Sequence, residues 1–236
     1  MRVKPRLRRM CYKKRQFISA RTGPIANLQL GLTLNRLLLI GHSIFEIPKS
    51  IMTEDEYNDR KIVSAETVEP VAEALPKGPQ LVFEHWLSLK ESDIGPHYSK
   101  FYIDDLPIRM IPASMVYDVI DGGRDYRYRF FGSDRVKSHG EDYTDRFVSN
   151  MTPHLMALKI AAENTEVVKT KQPVVINTVA AVGGEEFQYS LMRLPLFDDT
   201  GDVARIYGLP FNGTGPELPE RQWGHWFGRH AKDNKI

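Results

Sequence analysis

Two glycine pairs, each set between strand-like runs, predict an α+β fold whose sheet is antiparallel. The pairs are Gly122-Gly123 and Gly183-Gly184. A two-residue turn demands positive φ, which glycine adopts without steric cost, and strands joined so tightly run antiparallel. The third observation is a long stretch of helical periodicity, opened by Thr152-Pro153 and running to about residue 170, between the two hairpins. The expected architecture is a five-stranded antiparallel sheet with flanking helices, preceded by an N-terminal helix.

The elements follow in order. Residues 52–78 are polar and punctuated by Pro70, Pro76 and Gly78, and read as a mobile linker. A helix is expected over 79–92, with Val82, Trp86 and Leu89 on one stripe and Gly95-Pro96 beyond its end. Residues 113–121 and 124–132 are the strands of the first hairpin; in the second, Tyr126, Tyr128 and Phe130 alternate with Arg127, Arg129 and Phe131. Ser133 or Asp134 caps a short helix that Gly140 stops, and a second short helical piece is expected near 143–150. The long helix begins with Thr152 as its cap and Pro153 at its first position. Residues 173–182, 186–196 and 202–211 are the last three strands, and 213–236 a flexible tail containing Trp223, Trp226 and Phe227. No βαβ unit or glycine-rich phosphate loop is present in the sequence, which argues against a Rossmann or P-loop enzyme.

Charge divides the chain. The formal net charge of +2 combines about +10 in residues 1–51, where eleven Lys/Arg face the single acid Glu46, with about −8 in the remainder. The overall basicity therefore describes neither part and is no sign of a nucleic-acid partner. The apolar run at 25–40 is broken by Asn27, Gln29, Asn35 and Arg36, too polar for a membrane span or a secretory signal. The composition changes at Met52, so residues 1–51 are expected to be upstream or disordered sequence; membrane contact would require that leader to be translated. One cysteine, Cys11, excludes a disulfide framework, and the single thiol suits a cytoplasmic protein.

The element order strand, strand, three helical pieces, three strands resembles that of a PAS domain. The details resemble the stand-alone PAS-like family common in alphaproteobacteria: His85-Trp86 in the first helix, VYDVIDGG, YRYRFFGSDRVKSHGEDYTDR, QPVV after the long helix, and LMRLPLFDDTGDVARIYG. The resemblance covers about residues 80–211. It implies a non-catalytic sensory or signalling domain, often dimeric, in which sheet and helices enclose a small apolar pocket. The pocket candidates are Tyr128, Phe130, Val136, Phe147, Leu155, Leu158, Tyr189, Leu191 and Tyr207. The helix face of Val82, Trp86 and Leu89 is the candidate dimer surface, where a second copy or the chain's own sheet would cover it.

The residues give other chemistries little support. The segment GGEEF (183–187) matches the diguanylate cyclase signature, but the upstream acidic metal ligand and associated motifs of that family are missing. A cysteinyl-flavin photoreceptor needs a cysteine in the domain, and Cys11 lies outside it. A haem would need an axial histidine, for which His139 and His154 are the candidates, and no haem is expected. Arg127 and Arg129 would pair with acids near the short helices or hold a ligand carboxylate. An enzyme using the pocket would need a titratable group there, with His139 or Tyr189 the place to look.

Overall fold

In a computed structural model of the chain, residues 60–90 and 94–212 are described in full, and residues 37–40 and 43–46 by their backbone alone. Strands β1 (Leu37–Ile40) and β2 (Ser43–Glu46) pair antiparallel. They are followed by β3 (Arg60–Val68), helix α1 (Lys77–Ser88), β4 (Met115–Ile120), β5 (Asp125–Phe131), α2 (Ser133–His139), α3 (His154–Thr170), β6 (Val174–Val182), β7 (Glu185–Phe197) and β8 (Val203–Phe211). Strands β3 to β8 form one antiparallel sheet in the order β3-β6-β7-β8-β4-β5. The class is α+β, with helices on both faces, and from β4 to β8 the elements follow the order expected from the sequence. The remaining leader residues, with Cys11 and Met52, and the tail from Gly213 with Trp223, Trp226 and Phe227, lie outside the described residues.

The sheet has one strand more than expected. Residues 60–68, read from the sequence as part of a polar linker, form β3 and pair with β6 from Arg60 opposite Val182 to Val68 opposite Val175. An edge strand is half solvated, so RKIVSAETV needs little apolar character to be a strand, and periodicity had no signal to find.

The turns divide. Gly183 and Gly184, at φ 56° and 80°, form the two-residue turn expected, with Val182 opposite Glu185. The first hairpin closes through four residues instead, Asp121–Arg124, because Ile120 is the last residue paired, opposite Asp125. In β5 the alternation breaks at Arg129. Val116 faces Phe130 but Tyr117 faces Tyr128, so Arg129 is an extra, bulged residue. A bulge reverses the faces beyond it. Tyr126, Tyr128 and Phe131 therefore share one side of the sheet, and Phe130 packs on the other.

The helix starts also differ. Gly132 and Pro153 occupy the cap positions of α2 and α3, and neither cap is a side-chain hydrogen bond from Ser133, Asp134 or Thr152. Gly140 stops α2 in the left-handed conformation, as read, and the piece expected near 143–150 is a 3-10 turn at Val148–Asn150. Gly132 is fixed by packing: a Cβ there would sit 2.2 Å from the Pro112 carbonyl oxygen and 2.6 Å from its carbon. Those are backbone atoms and cannot swing aside. Gly132→Ala should therefore cost about 3 kcal/mol, the upper part of the overpacking range, measurable as a fall in urea midpoint. A change under half a kcal/mol would refute the contact.

The sheet carries a core on each face. On one side Val82, Phe83 and Trp86 of α1 pack with Met192, Leu194 and Leu196 of β7 and with Tyr207 and Leu209 of β8. On the other, Leu155, Ile160 and Val167 of α3 pack with Tyr117, Tyr128, Ile176, Tyr189 and Leu191. Strand β7 is buried on both faces, so alternate residues serve opposite cores. The dimer-surface expectation at Val82, Trp86 and Leu89 is corrected here. Val82 and Trp86 are 0% and 1% exposed, Leu89 is half-buried against the same cluster, and Trp86 Nε1 donates to the Pro195 carbonyl at 2.9 Å. The chain's own sheet covers that stripe.

Candidate functional site: a buried charged cavity beneath α2 and α3

Within LMRLPL, strand alternation sends Leu191 and position 193 to the α3 side, and position 193 is an arginine. Arg193 is fully buried. It donates to Glu163 Oε2 from Nη2 at 2.5 Å and from Nε at 3.2 Å, and to Asn164 Oδ1 from Nη1 at 2.5 Å. One turn earlier on α3, Lys159 pairs with the other Glu163 oxygen, the i, i+4 spacing placing both side chains on one helix face. Glu163 is thus clamped between two cations, all three buried.

Each charge costs several kcal/mol to remove from water, so only mutual pairing permits the arrangement. Burial alone would raise the Glu163 carboxyl; Lys159 and Arg193 outweigh it and hold the pKa below its ordinary value. Burial likewise opposes the charge on Lys159 and on Arg193, and Glu163 overrides it, so both are raised. Aromatic faces add to this: Lys159 Nζ lies 5.3 Å from the Tyr189 ring centroid and the Arg193 guanidinium 5.4 Å from that of Tyr117. The trio still carries one net positive charge.

Beside it lies a cavity of about 30 Å³, between α2, α3 and the sheet. Its polar wall comprises Arg135, His139, Lys159, Glu163 and Tyr189, and Met115, Tyr117 and Leu191 are among its apolar residues. Arg135, on α2, is 3% exposed. Its Nη2 reaches only Ser138 Oγ, at 3.5 Å, and its buried Nε has no acceptor. Burial pushes its pKa down to about 10, so it remains charged at neutral pH at a cost. His139 bonds through Nδ1 to the Arg135 carbonyl oxygen at 2.8 Å and meets the Phe131 ring edge-on at 5.0 Å. Glu163 is committed to two cations and makes a poor base. Burial raises the Tyr189 phenol, which therefore stays protonated at neutral pH.

Of the pocket candidates read from the sequence, Tyr189 and Leu191 line this cavity. Tyr128 and Leu155 are buried in the same core, with Val136 and Leu158 at its margin, and none of these four lines the cavity. Phe130 and Tyr207 belong to the opposite core, Phe130 because of the bulge and Tyr207 because it alternates away from Ile206. Phe147 is 38% exposed and bridges Arg127 at the edge of β5. His139 lines the cavity and His154, half-buried at the start of α3, does not. A void of this volume has room for about two water molecules, far less than a haem or flavin ring needs. Sequence reasoning passed over Arg135, Lys159, Glu163, Asn164 and Arg193. An arginine inside the apolar run LMRLPL was the one available signal.

Arg127 and Arg129 take Asp118 as their hydrogen-bonding partner rather than the acids of the short helices, of which Asp145 adds only a long-range attraction to Arg129, and neither lines the cavity. Both donate to Asp118, at 2.9 and 2.6 Å, and Arg205 joins them at 3.2 Å. Burial would raise the Asp118 carboxyl, but the Arg129 and Arg127 bonds outweigh it and lower the pKa. The GGEEF segment is the β6–β7 turn and the start of β7, with Glu185 and Glu186 exposed. Among the described residues no three His, Cys, Asp or Glu side chains are grouped to hold a metal, and no helix is long and apolar enough to cross a membrane.

No family model matches the chain, and no curated protein matches it. Among solved structures it is similar to an RNA-binding light-oxygen-voltage receptor, at 14% sequence identity and a TM-score of 0.34, over 68% of this chain and 41% of that one. The chain spans about two fifths of that receptor's length.

Proposed function

We propose that this chain is a PAS-type sensory module, without catalytic output of its own, that takes a small ligand into the cavity beneath α2 and α3. It passes on the ligand's presence by docking or dimerising. The observation that carries this reading is Arg135, a cation 3% exposed, lining a cavity, with a buried donor left without an acceptor. A fold does not keep such a group for stability, because an unmatched buried charge is a net cost. Arg135 and His139 both lie in the YRYRFFGSDRVKSHGEDYTDR segment, the most specific part of the resemblance. The helix stripe at Trp86 is used within the chain, so a docking or dimer surface must lie elsewhere.

Mass spectrometry of the full chain purified from cells, native against denaturing, tests the reading. Extra mass that is present in the native spectrum and lost on denaturation is expected, and a bare native mass counts against a resident ligand. An enzymatic reading retains one supporting observation, that His139 and Tyr189 both line the cavity. Turnover of the recovered ligand, abolished in His139→Ala, would favour it over a sensor.

A further inference from the structure

We infer that the cavity's ligand is a small planar oxyanion of three or four heavy atoms, of the formate, nitrate or bicarbonate type, held by the guanidinium of Arg135. The inference rests on the sensory reading above and names its ligand class. Three observations lead to it.

The first is charge. The two cations of the buried trio share one carboxylate, and its oxygens are both taken, Oε1 by Lys159 and Oε2 by Arg193. Arg135 adds a further positive charge on the cavity wall, and among the described residues that line it Glu163 is the only acid. The walls are therefore short of negative charge, and a cationic cavity with low-dielectric walls selects an anion over a neutral molecule.

The second is geometry. Arg193 presents Nε and Nη2, one edge of its guanidinium, to a carboxylate oxygen. The same pair of donors in Arg135 has only the long Ser138 contact on Nη2 and nothing on Nε. A planar fork of this kind is matched by a planar oxyanion accepting two parallel hydrogen bonds. Lys159 lies on the same wall and adds long-range attraction.

The third is size. A volume of about 30 Å³ accepts the equivalent of about two waters. That admits formate, nitrate or bicarbonate and rejects dicarboxylates and phosphate esters unless α2 moves. An anion seated here would tie α2 to α3, which gives the module a structural difference between its empty and filled states.

The test uses the full chain dialysed into chloride buffer and titrated with sodium formate, nitrate or bicarbonate at constant ionic strength. Thermal unfolding and isothermal calorimetry are followed. The expected result is a saturable rise in Tm for at least one planar oxyanion, with malonate giving none. In Arg135→Met, binding should weaken by roughly tenfold or more, because a charge-assisted hydrogen bond is lost. That variant should itself melt a few degrees higher than the parent in chloride, because it removes an unmatched buried charge. Arg135→Lys keeps the charge without the fork and should bind several-fold more weakly than the parent. Equal responses in the parent and Arg135→Met, or no saturable response to any of the three anions, would overturn the inference. If native mass spectrometry then still reveals a larger bound molecule, the sensory reading survives and only the ligand class fails. A bare mass alongside no anion response removes both.

Discussion

Glu163→Gln should destabilise the chain by about 3–5 kcal/mol, the usual cost of breaking a buried ion pair from one side. The amide keeps the shape of the carboxylate but not its charge, leaving Lys159 and Arg193 facing each other inside the α3 core at 1% and 0% exposure. Against a total stability of about 5–15 kcal/mol, that is enough to bring the protein close to unfolding at 37 °C. Urea unfolding followed by circular dichroism measures it, and a loss below 1 kcal/mol would mean that the trio is not the buried network described. Replacing all three ions together with Met, Leu and Met should recover most of the loss, because a well-packed apolar set of similar volume avoids the desolvation cost. The pH dependence has a defined sign. The folded-state pKa of Glu163 is depressed, so its contribution is fully present above the ordinary glutamate value, about 4.3. It is lost as pH falls through the lower folded-state value. The parent should lose stability in that acid range, and Glu163→Gln should show a flatter acid limb.

Trp86→Ala should cost about 3–5 kcal/mol and leave association unaffected. The indole lies 6.0 Å from the Phe83 ring in a stacked arrangement, and its Nε1–H is the donor to the Pro195 carbonyl near the end of the two-sided strand β7. Truncation leaves both a cavity and a buried carbonyl without its donor, two separate penalties. Trp86→Phe separates them: it refills most of the volume and forfeits the hydrogen bond alone, for about 1–3 kcal/mol. Chemical denaturation gives the stabilities, and sedimentation velocity at native conditions gives the association state. A shift in oligomeric state with unchanged stability would restore the helix stripe as a dimer surface.

Where a signal depended on neighbours in the chain, it was legible. The Gly183-Gly184 turn needed only local backbone freedom, and the stop of α2 at Gly140 needed only a residue at ease in the left-handed conformation. The strands β4 to β8 and α3 came within a few residues of where patterning put them. Signals carried by a single extra residue or by a solvated edge were not legible. The bulge at Arg129 moved Phe130 to the opposite core, and β3 lacked the apolar alternation that marks a strand with one buried face.

Sequence alone determined the α+β class, the order of elements from β4 to β8 and the antiparallel pairing within each hairpin. These follow from turn chemistry and periodicity, which are properties of adjacent residues. Tertiary structure decided which core each residue joined, that α1 seals against its own sheet, and that Arg193 of β7 meets Glu163 and Lys159 of α3. It also decided that Arg135 lies buried against the cavity. Residue 135, the pair 159 and 163, and residue 193 lie on three separate elements, and each read singly is an ordinary surface charge. Only the crossing of α3 over β7, with α2 at the cavity wall, turns them into buried charges, and only burial makes their imbalance costly enough to imply a ligand.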